Sequence, residues 1–309
     1  MNLIKDIKND KSFKKTMRVI ALVIIVFFAV DGILGFALTK GLKKYYGLGS
    51  DSKIALVGHS HLMLGVDKKL LEKELGVPVA KYTREGVNIA DREIMIKQLL
   101  RQNKDLKLII YEIDAWSFTG EGLSSNSYTL FYPFLGSKEV DRYVKSQASF
   151  GDYWLHKIVK TSRFNELLIS SSIRGYLHNW ANLKYGTIDT TRYKNEISNG
   201  DFRRIDNSDE NIDILKQSIS ELKENNIQVI LLYVPTIDFY NQAEPKKFKE
   251  TMDIFNSLEK EFSNVKILNY IEPYSHDYTL FYDPIHMNPK GQKIITLKLV
   301  DDLKSVLQE

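Results

Sequence analysis

The chain has 309 residues, with 43 Lys and Arg against 39 Asp and Glu, and a formal net charge of +4. A hydrophobic share of 43% and an aromatic share of 11% are ample for a packed core and exclude general disorder. There is no cysteine, which removes disulfides, thiolate metal sites and cysteine nucleophiles together. The lysines are scattered with no basic stripe, so no nucleic-acid role is expected.

Lys5, Lys8, Lys11, Lys14, Lys15 and Arg18 precede an apolar run from Val19 to Leu38, interrupted only by Asp31 and two glycines. About 20 apolar residues span a bilayer, and a basic flank stays on the cytoplasmic side. Residues 1–18 are therefore expected to be a cytoplasmic tail and 19–38 a transmembrane anchor. Residues 39–51 read as a polar connector, and 52–309 as an extracytoplasmic domain. The alternative is a cleaved signal peptide, with Gly35-Phe36-Ala37 as its small-x-small site. Asp31 reads either as a carboxylate lying toward the outer interface or as a contact with a membrane partner.

The stretch Lys53-Ile54-Ala55-Leu56-Val57-Gly58-His59-Ser60-His61 comes next. Its four apolar residues predict a buried strand of a parallel sheet, and Gly58 permits a sharp turn. The chain looks helical from Leu62, with an amphipathic helix around 67–75 carrying Leu70, Leu71 and Leu75 on one face. A strand, a tight turn bearing serine and a helix can present a nucleophile at a sheet edge, with helix N–H groups nearby. A second strand is expected over 77–82, a loop over 83–88, and a helix over 89–102 with Ile94, Ile96, Leu99 and Leu100 inward. A third strand is expected over 106–113. This β-α-β-α-β rhythm predicts a parallel sheet covered by helices.

Residues 115–205 break the rhythm. They hold Trp116, Trp154 and Trp180 and read as a mostly helical insertion, with helices over 150–162 and 163–177. Insertions at that edge of a sheet often form lids or substrate walls. The α/β pattern then resumes, with helices over 209–225 and 245–262, strands over 228–234 and 265–269, and a closing helix over 288–307. Some five strands in all are expected.

Asp283 and His286 lie in the loop before that last helix. A spacing of three can set the carboxylate against Nδ1 of the imidazole, leaving Nε2 to take a proton from a hydroxyl. His59 reads as shaping the serine turn. A metal site of His59, His61, Asp283 and His286 is a lesser alternative, since imidazole and carboxylate suit zinc. His156, His178 and His276 are assigned no role.

Gly58-x-Ser60-His61 after the first strand, with Asp283-x-x-His286-x-Asn288 before the last helix, resembles the SGNH (GDSL-like) hydrolases. The resemblance covers about residues 50 to 309, and only the two end motifs are sharp. Within that superfamily, a single N-terminal anchor and an external domain are similar to the DltD-like proteins of lipoteichoic acid D-alanylation. They are similar also to exported polysaccharide O-acetylation proteins. The resemblance implies a three-layer αβα sandwich of flavodoxin-like order, with Ser60 as nucleophile, His286 as general base and Asp283 as its orienter. It implies an oxyanion hole from the amide of Ser60 or His61 and from Gly86. At the third strand end the chain reads Glu112-Ile113-Asp114-Ala115-Trp116, with no Gly-x-Asn-Asp, so the usual asparagine donor is missing or Asn88 supplies it. Asp114 and Trp116 are candidates for a substrate wall.

The function so implied is that of a serine esterase or O-acyltransferase acting on acetyl or D-alanyl esters of cell-envelope polysaccharide or teichoic acid. A membrane-bound O-acyltransferase is the implied partner, with no cofactor and no metal. Two alternatives stay open: a non-catalytic scaffold or glycan-binding partner of such an acyltransferase, and a metal-dependent hydrolase.

Overall fold

The computed structural model describes residues 11–119 and 126–306. Lys5 and Lys8 of the expected tail thus lie outside the described residues. Two compact units are present, one of Met1–Leu42 with Thr129–Ile173 and one of Lys43–Tyr128 with Arg174–Glu309.

The larger unit is built on five parallel strands: β1 (Ile54–Gly58), β2 (Val79–Thr83), β3 (Leu108–Ile113), β4 (Gln228–Tyr233) and β5 (Val265–Asn269). Their order is β2-β1-β3-β4-β5, all neighbours parallel. This is the flavodoxin-like doubly wound order, whose direction reverses between β1 and β3. Every residue of β1, β2 and β3 is buried, the reason these strands read as continuous apolar runs. Helices in chain order are α1 (Lys11–Tyr46), α2 (Ser60–Gly65), α3 (Lys68–Leu75), α4 (Ile89–Gln102), α5 (Lys138–Gln147) and α6 (Phe150–Ile158). They continue with α7 (Glu166–Tyr176), α8 (Thr190–Ser198), α9 (Asp209–Glu224), α10 (Asp238–Asn241), α11 (Pro245–Glu261) and α12 (Pro289–Val306). Helices α2, α3 and α12 pack together, and α4 packs against α9. Leu56, Ile110 and Leu232 of the sheet share one core with Leu62, Leu71 and Leu299 of the first of these groups.

The expected fold class is the one observed, and α4 and β5 occupy the expected ranges. Three local differences have physical reasons. The helix after the serine turn begins at Ser60 itself, because the His59 side chain caps it. The segment over 281–287 is a short hairpin of β6 (Phe281–Asp283) and β7 (His286–Met287), not a bare loop. The connector expected over 39–51 is helical as far as Tyr46, with Leu42 and Tyr46 fully buried. Its lysines suggested solvent, but the Tyr46 ring stacks on Tyr82 at 4.5 Å and fixes the segment to the sheet unit.

The smaller unit contains α1 to residue 42, α5, α6 and most of α7. A 36-residue helix is about 54 Å long, and α1 is long and apolar enough to cross a membrane. Asp31 is buried and accepts hydrogen bonds from the amides of Lys160 and Thr161, both at 2.7 Å, and from the Thr161 hydroxyl at 2.6 Å. Its partner is a turn of its own chain. The 115–205 insertion therefore divides: residues 129–173 belong with α1, and the described residues on either side belong with the sheet.

Gly58 ends β1 against β3, where a Cβ would lie 2.6 Å from Cβ of Glu112. Gly58→Ala is expected to destabilise the protein by about 1–3 kcal/mol through overpacking. At Gly151, inside α6, a Cβ would meet nothing within 4 Å, so Gly151→Ala should not lower the thermal midpoint and should raise it slightly, through about 0.5–1 kcal/mol of helix propensity. Melting curves of the two variants beside the parent check both statements.

Candidate active site

The ends of β1 and β3 flank the point where the strand order reverses, the place at which open parallel sheets leave a crevice for ligands. Residues after β1 (His59, Ser60, His61), after β2 (Gly86, Asn88) and at the end of β3 (Glu112, Asp114) gather at this edge, since Gly58 pairs with Thr83 and Val57 with Tyr111. The β6–β7 hairpin supplies Asp283 and His286, and β7 packs on α2.

Ser60 is the first residue of α2 and is partly exposed. Its Oγ lies 2.7 Å from Nε2 of His286, and Nδ1 of His286 lies 2.7 Å from Oδ2 of Asp283. The other carboxylate oxygen of Asp283 accepts the amides of Ile285 at 3.1 Å and His286 at 3.0 Å. With both ends of Asp283 held, the imidazole has one orientation, and a proton on Nδ1 leaves the Nε2 lone pair toward the serine. Burial pushes the His286 imidazole below its ordinary value, although the Asp283 hydrogen bond works in the other direction. Burial alone would raise Asp283, but the bond and charge of His286 outweigh it and hold the carboxyl below the usual range. Asn288 fixes the hairpin from behind. Its amide nitrogen donates to the carbonyls of Thr279 at 2.9 Å and Gly186 at 3.1 Å, and its oxygen accepts the Lys290 and Gly291 amides at the start of α12.

The expected oxyanion donors fare unequally. Gly86 has φ +75°, a left-handed backbone that favours glycine, and lies three residues beyond the end of β2. The side-chain oxygen Oδ1 of Asn88 is used as the cap of α4, accepting the Asp91 amide at 2.9 Å in a reciprocal capping box. Only its amide group could serve a ligand. The His61 amide donates to Nδ1 of His59 at 3.2 Å, so it is engaged inside the turn. Among the described residues, the Ser60 amide has no hydrogen-bond acceptor.

Asp114 and Trp116 are buried, so neither faces solvent as a wall would. The Trp116 indole donates to the Arg203 carbonyl at 3.0 Å and packs against Tyr240 with ring centroids 5.2 Å apart. The metal grouping of His59 and His61 with Asp283 and His286 does not assemble, because both ring nitrogens of His286 are taken by Asp283 and Ser60. His59 and His61 face Glu112 and Asp114 instead. The Arg92 guanidinium from α4 pairs with Oε2 of Glu112 at 3.0 Å and donates to its backbone carbonyl at 2.7 Å. Burial would raise both carboxyl groups, but the facing histidines and Arg92 hold them below the ordinary range. Glu112 and Arg92 were not singled out from the sequence. The available signal was a carboxylate inside the apolar run Leu108-Ile109-Ile110-Tyr111-Glu112-Ile113, since a strand buried on both faces cannot leave a charge unpaired.

No protein-family model matches this chain, and no curated protein matches its sequence. Several solved structures are similar to it. A lipase/acylhydrolase from Enterococcus faecalis aligns at 12% identity and TM-score 0.43, over 82% of this chain and 96% of that one. A GDSL-like lipase from Bacteroides thetaiotaomicron aligns at 10% and 0.41, over 90% and 98%. The C-terminal catalytic domain of peptidoglycan O-acetyltransferase A from Streptococcus pneumoniae aligns at 10% and 0.38, over 83% and 95%. At these values the chemistry has to be argued from the chain's own residues, and it is the hydrogen-bonded line from Ser60 through His286 to Asp283 that carries it.

Proposed function

We propose that the chain is a serine acyl-esterase or O-acyltransferase that works through an acyl-serine intermediate. The observation that carries this reading is the pair of 2.7 Å contacts joining Ser60, His286 and Asp283, the first of them between residues 226 positions apart in the chain. His286 takes the Ser60 proton on Nε2 as Oγ attacks the acyl carbonyl, and Asp283 stabilises the imidazolium. The carbonyl electrons move to oxygen, and in this reading the Ser60 and Gly86 amides are its hydrogen-bond donors. Collapse expels the alkoxide, which takes the proton from His286 and leaves acyl-Ser60. A second hydroxyl, of a sugar, a polyol or water, repeats the sequence in reverse. Acetyl or D-alanyl esters of a cell-envelope polysaccharide or teichoic acid are the substrates we propose, with a membrane-bound O-acyltransferase as partner.

Anchoring by α1, with the sheet unit outside the cell, is part of the same proposal. Its support is the basic flank before the apolar run, together with the apolar side chains left exposed on the helices of the smaller unit. Phe150 is 82% exposed, Leu167 59% and Ile158 56%. Surfaces of this kind belong against lipid or protein.

A second reading, an SGNH-fold scaffold that binds glycan without catalysis, is favoured by one observation. The His61 amide is engaged with His59 and no asparagine stands after β3, so the oxyanion hole is short of donors.

Fluorophosphonate labelling of the full chain in detergent separates the two readings. The esterase reading expects labelling of the parent, at least 100-fold slower in Ser60→Ala and His286→Ala; a folded parent that takes no label leaves the scaffold. Burial holds His286 below about 6.5, the ordinary imidazole value. Because the protonated ring cannot accept the serine proton, labelling should rise with pH and reach half its plateau below that value. A midpoint above 7 contradicts the assignment of His286 as base.

A further inference from the structure

His59, His61, Glu112 and Asp114 each direct one ligand atom into a common space, with all four atoms within 4.8 Å of one another. None of the four residues is more than 5% exposed. Two atoms in the cluster, Nδ1 of His61 and Oε1 of Glu112, have no hydrogen-bond partner. We propose that these four residues form a closed site for one divalent transition-metal ion of the zinc class, lying under the serine turn.

The spacing supports a metal over a plain hydrogen-bond network. Zinc bonds of about 2.0–2.1 Å set the distance between ligands of a tetrahedron at about 3.3–3.4 Å. Nδ1 of His61 lies 3.3 Å from Oδ2 of Asp114 and 3.5 Å from Oε1 of Glu112, and Nε2 of His59 lies 3.5 Å from Oε1 of Glu112. Those separations exceed a charge-assisted hydrogen bond, about 2.7–2.9 Å. These three are close to the edge of such a tetrahedron, whereas His59 and Asp114, at 2.8 Å, stand closer, and all four ligand atoms lie within 4.8 Å of one another.

The second oxygen of each carboxylate is already held. Oε2 of Glu112 receives Arg92 at 3.0 Å and the His59 amide at 3.2 Å, and Oδ1 of Asp114 receives the Trp116 amide at 2.9 Å and the Ser117 hydroxyl at 3.0 Å. Outer partners of this kind orient metal ligands. Beside the imidazoles, two buried carboxylates stand with one guanidinium, that of Arg92, so the cluster attracts a cation.

The His59 ring gives the proposal a specific consequence. Its Nδ1 accepts the His61 amide, which places the ring proton on Nε2, toward Asp114. Ligation through Nε2 breaks that N–H bond and forms one at Nδ1, with no net proton gained or lost. The His61 amide, beside Ser60, then loses its acceptor and becomes available to a ligand. Metal occupancy and the donor set around the serine are thereby coupled.

The test uses the full chain in detergent. After chelation and buffer exchange it is titrated with zinc against a competing chelator, with cobalt(II) absorption and thermal unfolding as further readouts. Saturation near one ion per chain, intense visible cobalt bands and a raised thermal midpoint are expected. Both His61→Ala and Asp114→Asn should lose at least 100-fold in affinity, whereas Ser60→Ala should bind as the parent does. A folded parent that takes up no zinc and shows no thermal shift overturns the site. Unchanged binding in both folded ligand variants overturns it equally. Should the variants fail to fold, the parent titration and the cobalt spectrum decide alone. Neither outcome depends on the fluorophosphonate result, since Ser60 is not a ligand.

Discussion

A carboxylate with no exposed surface stands at the end of β3, and the geometry of the serine turn follows from the need to pair it. Leaving Glu112 charged and unpartnered in the interior would cost about 3–5 kcal/mol. Arg92 from α4 and the His59 amide from the turn hold one of its oxygens, and the imidazoles of His59 and His61 stand 3.5 Å from the other. For the turn to come so close, the residue opposite Glu112 must lack a side chain, and Gly58 occupies that place. Once His59 is drawn inward, Ser60 becomes the first residue of α2 and its hydroxyl faces the sheet edge. Lys81 holds the other end of the same helix. Its buried ammonium donates to the carbonyls of Met63 at 2.8 Å and Val66 at 2.5 Å, and burial lowers it to about 7.

The second half of the site is assembled differently. Asp283 and His286 belong to a hairpin whose two strands are only three and two residues long. A hairpin so short needs tertiary support. Asn288 provides it by bonding to Gly186 and Thr279 while capping α12, and the packing of α12 on α2 and α3 completes it. A firm turn and a braced hairpin thus meet at one hydrogen bond, that between Ser60 and His286. Precise placement of a base against a hydroxyl is what general-base catalysis requires.

Much of this was legible in the sequence because it follows from local rules. Buried parallel strands read as short apolar runs, and β5 over Val265–Asn269 and α4 over Ile89–Gln102 sit where hydrophobic periodicity puts them. Chain order and position at strand ends are what single out Ser60, Asp283 and His286 as candidates, and their side chains lie within hydrogen-bond distance in a line. What escaped depends on contacts distant in sequence. Lysines made residues 39–51 look solvated, whereas Tyr46 is buried against Tyr82. Helices α5 and α8 carry too few apolar residues to stand out, with Val140 and Val144 as the buried pair of α5 and none buried in α8. Arg92 and Glu112 form their ion pair across 20 positions, which no periodicity announces. His61 was assigned to the oxyanion hole from its place after the serine, yet its amide points to the residue before the serine.

The central claim is that Ser60 is an activated nucleophile, and trapping its acyl form tests this most directly. The parent chain would be exposed briefly to an activated acetyl ester, quenched in acid, and examined by intact-protein mass spectrometry and peptide mapping. One added acetyl group on the peptide carrying Ser60, absent from His286→Ala, is the result this account predicts. A folded parent that gains no acyl group, or gains it on a lysine and equally in the variant, would contradict it.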